Sequence, residues 1–355
     1  MQVAPTSFYV RRLKPRLEAV ISQTAPSRLL WLPVHLAVIS AAVALLVHGV
    51  PLLAELGLSL LIGCAFGGMM FLGHETSHGA VVKGRRARSL VAQICFIPLM
   101  LSERLWSRWH GRFHHANANR LDLDPDMYPS LTAYRDSVAL RVATDHFALG
   151  GTRLRGMASL VVGFSLQSAQ MLVWGRARCE LTARDQRRSY VEFAVCAAVW
   201  IAFGVALGGH VLLFAWLLPL LVANVIVMSF IMTNHMLSPA TDCNDPIVGS
   251  LSVTIPRWAE WLTLDFGYHT EHHLFPAAST RHARAIRDAL VAEFPDRYQS
   301  LPLSVALWRV FRTGRVYRDA TTLVEPRSGR TWPTLGSGPD PDDDDQAGDP
   351  VPSVA

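Results

Sequence analysis

Charge is scarce in this chain. Only 17% of its 355 residues are Asp, Glu, Lys or Arg, and none of these occurs between Phe193 and Thr241. A soluble domain spreads charge over its whole surface, so gaps of this length argue against an ordinary globular enzyme and for lipid as part of the solvent. Cysteine is sparse and unpatterned. Cys64, Cys95, Cys179, Cys196 and Cys243 form no CxxC pair, which argues against an iron–sulfur module, a zinc ribbon or a disulfide framework; they read as reduced, mostly buried small residues. No GxGxxG or GxxxxGK[ST] stretch is present, so the fingerprints of nucleotide binding are missing too.

What is present is hydrophobicity in blocks. Half of the residues are hydrophobic and the mean hydropathy is +0.24. Leu29–Val47 carries no charge and Leu52–Gly73 only Glu55, and at about 1.5 Å per residue each can cross a bilayer. The uncharged stretch from Phe193 suits two more spans, with a turn near Gly208-Gly209-His210. The expected fold class is an all-α membrane protein. It would have four transmembrane helices in two hairpins, at about 29–47, 52–73, 191–207 and 211–233, beneath a helical cap. Leu90–Leu101 is too short to cross and reads as re-entrant or interfacial. Met157–Trp174 reads as an in-plane helix, because a crossing there would send the following elements to the opposite side.

The net charge of +5, with a sequence pI near 9.1, comes from Arg and Lys beside these blocks. Arg11, Arg12, Lys14, Arg16 and Arg28 precede the first span, Lys83, Arg85, Arg86 and Arg88 follow the second, and Arg176 to Arg188 precede the third. This is positive-inside topology and headgroup attraction, not nucleic-acid binding. It places both termini cytoplasmic and the protein in the cell membrane. Residues 1–28 read as a basic interfacial segment, in which Phe8, Tyr9, Leu13, Leu17, Val20 and Ile21 punctuate the charges. A signal peptide ending near Ala42-Val43-Ala44 is the competing reading, but its removal would leave the later topology unpaired. Residues 29–323 would form the membrane domain, and 324–355, with GSGPDPDDDDQAGDP, a disordered acidic tail.

Histidine is concentrated where the apolar blocks end. His74 and His78 lie in GHETSHG, His110, His114 and His115 in WHGRFHH, and His269, His272 and His273 in YHTEHHLFP, while His235 closes the last span. The topology brings all nine to one membrane face. Eight clustered imidazoles exceed what one four-coordinate zinc uses, whereas two metals taking four or five nitrogens each would use them all. Helical spacing at i, i+4 lets His74 share an ion with His78, and His110 with His114, while His115 would turn about 100° away toward a second ion. His269, His272 and His273 would share one helical face. An all-imidazole set suits iron, copper or zinc. Glu75, Glu271 and the aspartates of DLDPD, Asp126 among them, are candidates to accept the other ring N–H of a ligand. His35, His48, His146, His210 and His282 have no partner at ligand spacing and read as structural.

In order and spacing, these three motifs resemble the histidine boxes of the integral-membrane fatty acid desaturases and hydroxylases, and NHM around His235 resembles their additional histidine. The resemblance covers about residues 50–285. It implies a non-haem centre of two iron ions at the cytoplasmic face and O2-dependent oxidation of a long acyl chain. Desaturation is the favoured outcome. Hydroxylation, or oxidation of a carotenoid-like lipid, is the alternative on the same scaffold. No fused cytochrome b5 signature such as HPGG is present, so electrons would come from a separate ferredoxin- or cytochrome-type donor. Two other classes remain. HETSH also satisfies HExxH of membrane zinc metalloproteases, with Glu75 as general base, and a histidine-rich metal transporter is the non-enzyme reading.

Overall fold

Between the first two apolar runs, Gly49 takes the left-handed φ of +76° and Pro51 presets the next helix, so the chain reverses in three residues. The computed structural model describes residues 3–337. Its helices in chain order are α1 (Thr6–Ile21), α2 (Trp31–His48), α3 (Leu52–Ser77), α4 (Arg85–Phe96), α5 (Glu103–Arg108), α6 (His115–Asn117), α7 (Leu131–Asp136) and α8 (Val138–Phe147). There follow α9 (Ala158–Arg178), α10 (Ala183–Leu212), α11 (Leu218–His235), α12 (Arg257–Leu262), α13 (His269–Leu274), α14 (Ala283–Glu293) and α15 (Leu303–Arg312). Among the described residues, four stretches are long and apolar enough to cross a membrane: Pro26–His48, Leu52–Ser77, Leu154–Ala177 and the continuous Ala183–His235.

The last stretch is two antiparallel arms. Gly208 adopts φ +86° and ψ 162° inside it, and the chain folds back there so that a Cβ on Gly204 would press on Leu212. Both hairpins pack through α3. A side chain at Gly63 would overlap Val222 of α11, and one at Gly68 would overlap the His35 ring of α2. Small residues let helices approach closely where lipid offers no hydrophobic drive to association. Away from the histidine-rich motifs, His210 donates to the buried Glu55 at 2.7 Å, so the acid near the start of α3 is paired. The sequence offered His210 no partner because 155 residues separate the two.

α9, expected from the sequence to lie in-plane, is long and apolar enough to cross a membrane, and its first half packs antiparallel along α11. Ser159 touches Met232 near the end of α11, and the Ser165 N–H donates to Asn224 at 3.0 Å. At its other end Leu172 accepts from Gln186, and Gly175 abuts Leu105 and Leu181 near the start of α10. The start of α10 and the end of α11 are the same end of one antiparallel pair. The α4–α5 segment bends by 110°, with Met100 at φ 55°.

Three expectations change. α1 does not spend its apolar face on lipid: Tyr9, Leu13 and Leu17 are buried with Ile286, Leu290 and Phe294 of the α14 region. The cap is not wholly helical, since β1 (Ser252–Thr254) pairs in parallel with β2 (Ser300–Pro302). β3 (Val316–Asp319), β4 (Thr322–Val324) and β5 (Thr331–Pro333) form an antiparallel sheet that takes in residue 324 and residues 331–333 of the expected tail. Glu325 anchors it through the fully buried Arg315, at 2.8 and 2.9 Å. The Asp-rich remainder of the expected tail lies outside the described residues.

Candidate metal centre

The C-terminal turn of α3 carries His74, with His78 just after it, and the end of α11 carries His235. Between α5 and α6, Trp109–His114 forms a π turn bearing His110 and His114, with His115 just after it; α13 supplies His269, His272 and His273. All nine meet in space, and they divide. His74, His78, His110, His115 and His272 can each offer one ring nitrogen within 4.8 Å of the others. His114, His235, His269 and His273 form a second group on the same criterion, and His110 and His114 also come within that reach of Asp126.

The division differs from the helical expectation at the second motif. His110 shares the five-histidine group with His115, whereas His114 falls in the four-histidine group and meets His110 only beside Asp126. An α-helix would align residues four apart, but the π turn closes i to i+5, which brings His110 and His115 to one side and turns His114 to the other. The third motif also divides. His269 and His273, at i, i+4, serve the four-histidine group, and His272 faces the five. The α13 turn is therefore a wall shared by both groups.

Ring nitrogens approach each other more closely than packing alone requires. Nε2···Nε2 distances are 2.9 Å for His74–His110, 3.1 Å for His115–His272, 2.7 Å for His235–His269 and 3.3 Å for His114–His273. All four pairs lie within one group or the other. With metal–nitrogen bonds of about 2.1 Å, ligands 90° apart would be about 3.0 Å from each other. Lone pairs this close repel unless a proton or a cation lies between them. The buried Nε2 of His78 has no hydrogen-bond partner, which adds a nitrogen in need of one. The donor set thus fits metal.

Burial first, then the neighbouring imidazoles, holds His110, His115, His269, His272 and His273 well below the ordinary imidazole range, so they are neutral and able to ligate. His114 is the exception. Burial opposes its charge, yet Asp124 and Asp126 hold it up to about 9. Its Nδ1–H donates to Asp124 Oδ1 at 2.7 Å, while Asp126 Oδ2 is 3.5 Å away. Asp124 in turn accepts from the Asn119 and Asp126 N–H groups at 2.8 and 3.0 Å. A carboxylate on Nδ1 leaves Nε2 free to face a metal and makes it more basic. His235 is oriented in the same way, its Nδ1–H donating to the Gly249 carbonyl at 2.9 Å.

The proposed carboxylate partners need correction. Glu75 accepts from Ser279 Oγ and the Thr280 N–H, and Glu271 from Ser252 Oγ and the Tyr298 hydroxyl. Neither hydrogen-bonds an imidazole among the described residues. They tie the histidine-bearing turns to the cap, since each points away from its own helix face. Asp126 mainly accepts from Gln167 and Trp109, and Asp122 takes the Ser130 N–H in an ordinary turn. The sequence pointed to DLDPD but not to which aspartate acts. It carried no signal for Gly249, whose role is played by its backbone, or for Asn119, which is buried at φ 53° and also donates to the Pro239 carbonyl.

A cavity of about 20 Å³ lies beside both groups. Its walls include His74, His110, His114, His235 and His269 on one side and Met70, Phe71, Val227, Ile231 and Phe266 on the other. Trp106 stacks on His110 at 4.5 Å and 14°, closing a further wall.

Comparison with known proteins agrees with this arrangement. The chain is 25% identical to an sn-1 oleoyl-lipid 12-desaturase of Synechocystis over 64% of its own length and 66% of that protein's. It is 25% identical to the chloroplastic omega-6 fatty acid desaturase of Spinacia oleracea over 71% of this chain and 56% of that one. An oleoyl-12-hydroxylase of Ricinus communis is 24% identical over 77% and 73%. The chain spans two thirds or less of the first two relatives' length. The family model for fatty acid desaturases matches residues 50–302, which include every histidine of both groups, and the chain belongs to the fatty acid desaturase family.

Proposed function

We propose that this protein is an O2-dependent desaturase of a long-chain fatty acyl lipid, working at a centre of two iron ions at the cytoplasmic membrane face. The observation that carries the reading is the division of nine histidines into groups of five and four around one apolar-walled cavity. His74, His78, His110, His115 and His272 would hold one metal, and His114, His235, His269 and His273 the other. Iron bound there would supply the activation of O2 that breaking an unactivated C–H bond calls for.

The chain's own residues do the rest. Asp124 and the Gly249 carbonyl fix the tautomers of His114 and His235. Met70, Phe71, Val227, Ile231 and Phe266 offer an acyl methylene a dry surface beside the imidazoles. The cavity has room for about one water, so these side chains part when an acyl chain enters. The reaction balances as –CH2–CH2– + O2 + 2 e⁻ + 2 H⁺ giving –CH=CH– + 2 H2O. Two electrons come from the substrate and two from an external ferredoxin- or cytochrome-type donor.

One relative is named a hydroxylase, and that gives the second reading: the same electron demand, with an alcohol and one water as products. The zinc protease reading loses its general base, because Glu75 is buried and engaged by Ser279 and Thr280. Lipid profiling by mass spectrometry, with double bonds located, in cells with and without the protein tests the proposal. New unsaturated chains and two irons per purified chain are expected. Hydroxylated chains would shift the reading to the hydroxylase, and one zinc with no iron would sink it.

A further inference from the structure

Outside the metal centre lies an open groove of about 880 Å³ lined by Arg85, Arg86, Arg104, Arg184 and Arg188 among others. Two basic runs that lie a hundred residues apart in the sequence form its walls, one at the start of α4 and the other at the start of α10. Asp185 and Glu192 are the carboxylates that face it, and both are engaged already. Asp185 pairs with Arg104 at 3.0 Å and Arg108 at 3.7 Å, and Glu192 accepts from Ser102 and the Arg104 N–H. Arg85, Arg86, Arg184 and Arg188 have no carboxylate within ion-pair distance among the described residues.

These four charges repel one another, and the local backbone adds to the repulsion. α4 begins with Arg85 and Arg86, has no acid in its first turn and has no side-chain cap at Gly84. The positive end of a helix dipole is an unfavourable place for two cations. An anion in the groove would satisfy the arginine forks and the uncapped N–H groups together. Beside the groove the surface turns apolar: Leu90 in its wall is 64% exposed, and Val191, one turn along α10, is 62% exposed. The groove therefore opens at the boundary between headgroups and acyl chains. A phosphate held there would be presented by a lipid, with its chains descending over Leu90 and Val191.

We propose that this groove is a binding site for the phosphate of an anionic phospholipid. The site is independent of the reaction assigned to the histidines. α5 leads from Arg104 in the groove wall to Trp106 against His110, so an occupied groove would also brace that wall of the metal centre.

The test is native mass spectrometry of the full chain in detergent with dioleoyl-phosphatidylglycerol, dioleoyl-phosphatidylcholine or inorganic phosphate added. Saturable phosphatidylglycerol binding is expected, weakened about tenfold or more in R85Q/R86Q/R184Q/R188Q. A control removing four exposed arginines elsewhere, Arg11, Arg135, Arg257 and Arg318, should bind as the parent does. Should the glutamine variant fail to insert, R85K/R86K/R184K/R188K keeps every topology-setting charge and should still weaken binding a few-fold, because lysine lacks the fork. Equal loss in the control would reduce the effect to general charge. Displacement by equimolar inorganic phosphate would make the ligand soluble. Undiminished lipid binding by both groove variants would overturn the site and return these arginines to setting topology.

Discussion

The two histidine groups are built differently. In the four-membered group every imidazole is buried, and two are oriented from outside, His114 by Asp124 and His235 by Gly249. In the five-membered group His78 and His115 are only half-buried, and no imidazole donates to a carboxylate or carbonyl among the described residues. One group is organised by the fold and the other largely by whatever its nitrogens bind. The contrast predicts that metal in the five-membered group exchanges more readily.

The strongest way to break the comparison is to delete ligands from each side. His269→Ala or His273→Ala, and His78→Ala or His272→Ala, should each abolish product, a loss beyond about 100-fold, while the protein still inserts. Metal analysis then separates the groups: each variant should lose about one of two metals, and chelator titration of the parent should empty the five-membered group first. A single-phase release of both metals would erase the proposed difference.

Next in size is Asp124→Asn, which removes the orienting charge from His114 and should cost about 10- to 100-fold in activity or metal affinity. Asp126→Asn should cost clearly less, since its carboxylate mainly serves Gln167 and Trp109. The reverse ranking would mean that the 3.5 Å contact matters more than the 2.7 Å one. Smallest is Glu75→Gln. It keeps an acceptor for Ser279 and Thr280, so activity should stay within a few-fold while stability falls by about 1–2 kcal/mol in thermal unfolding. Loss of turnover on the scale of a ligand deletion would restore Glu75 to the chemistry.

The spans and the histidine-rich motifs were legible because each is a local pattern: an uncharged run, or imidazoles at helical spacing. What stayed hidden depends on partners distant in sequence or on a change of helical period. Glu55 finds His210 across the membrane domain, and Glu271 finds Tyr298 and Ser252 in the cap. The small sheet at 316–333 consists of three- and four-residue strands, too short for alternation to mark them. The division of His110 from His114 could not be read from WHGRFHH, because those letters suit an α turn equally well.

That π turn has a consequence for how the centre tolerates change in length. Its one additional residue works as a phase shift that places His115, and not His114, in the histidine group of His110. Excising Gly111 would restore the ordinary helical period and swing the following imidazoles by about 100°. Two neighbouring sites would then compete for the same nitrogens, although every histidine would still be present.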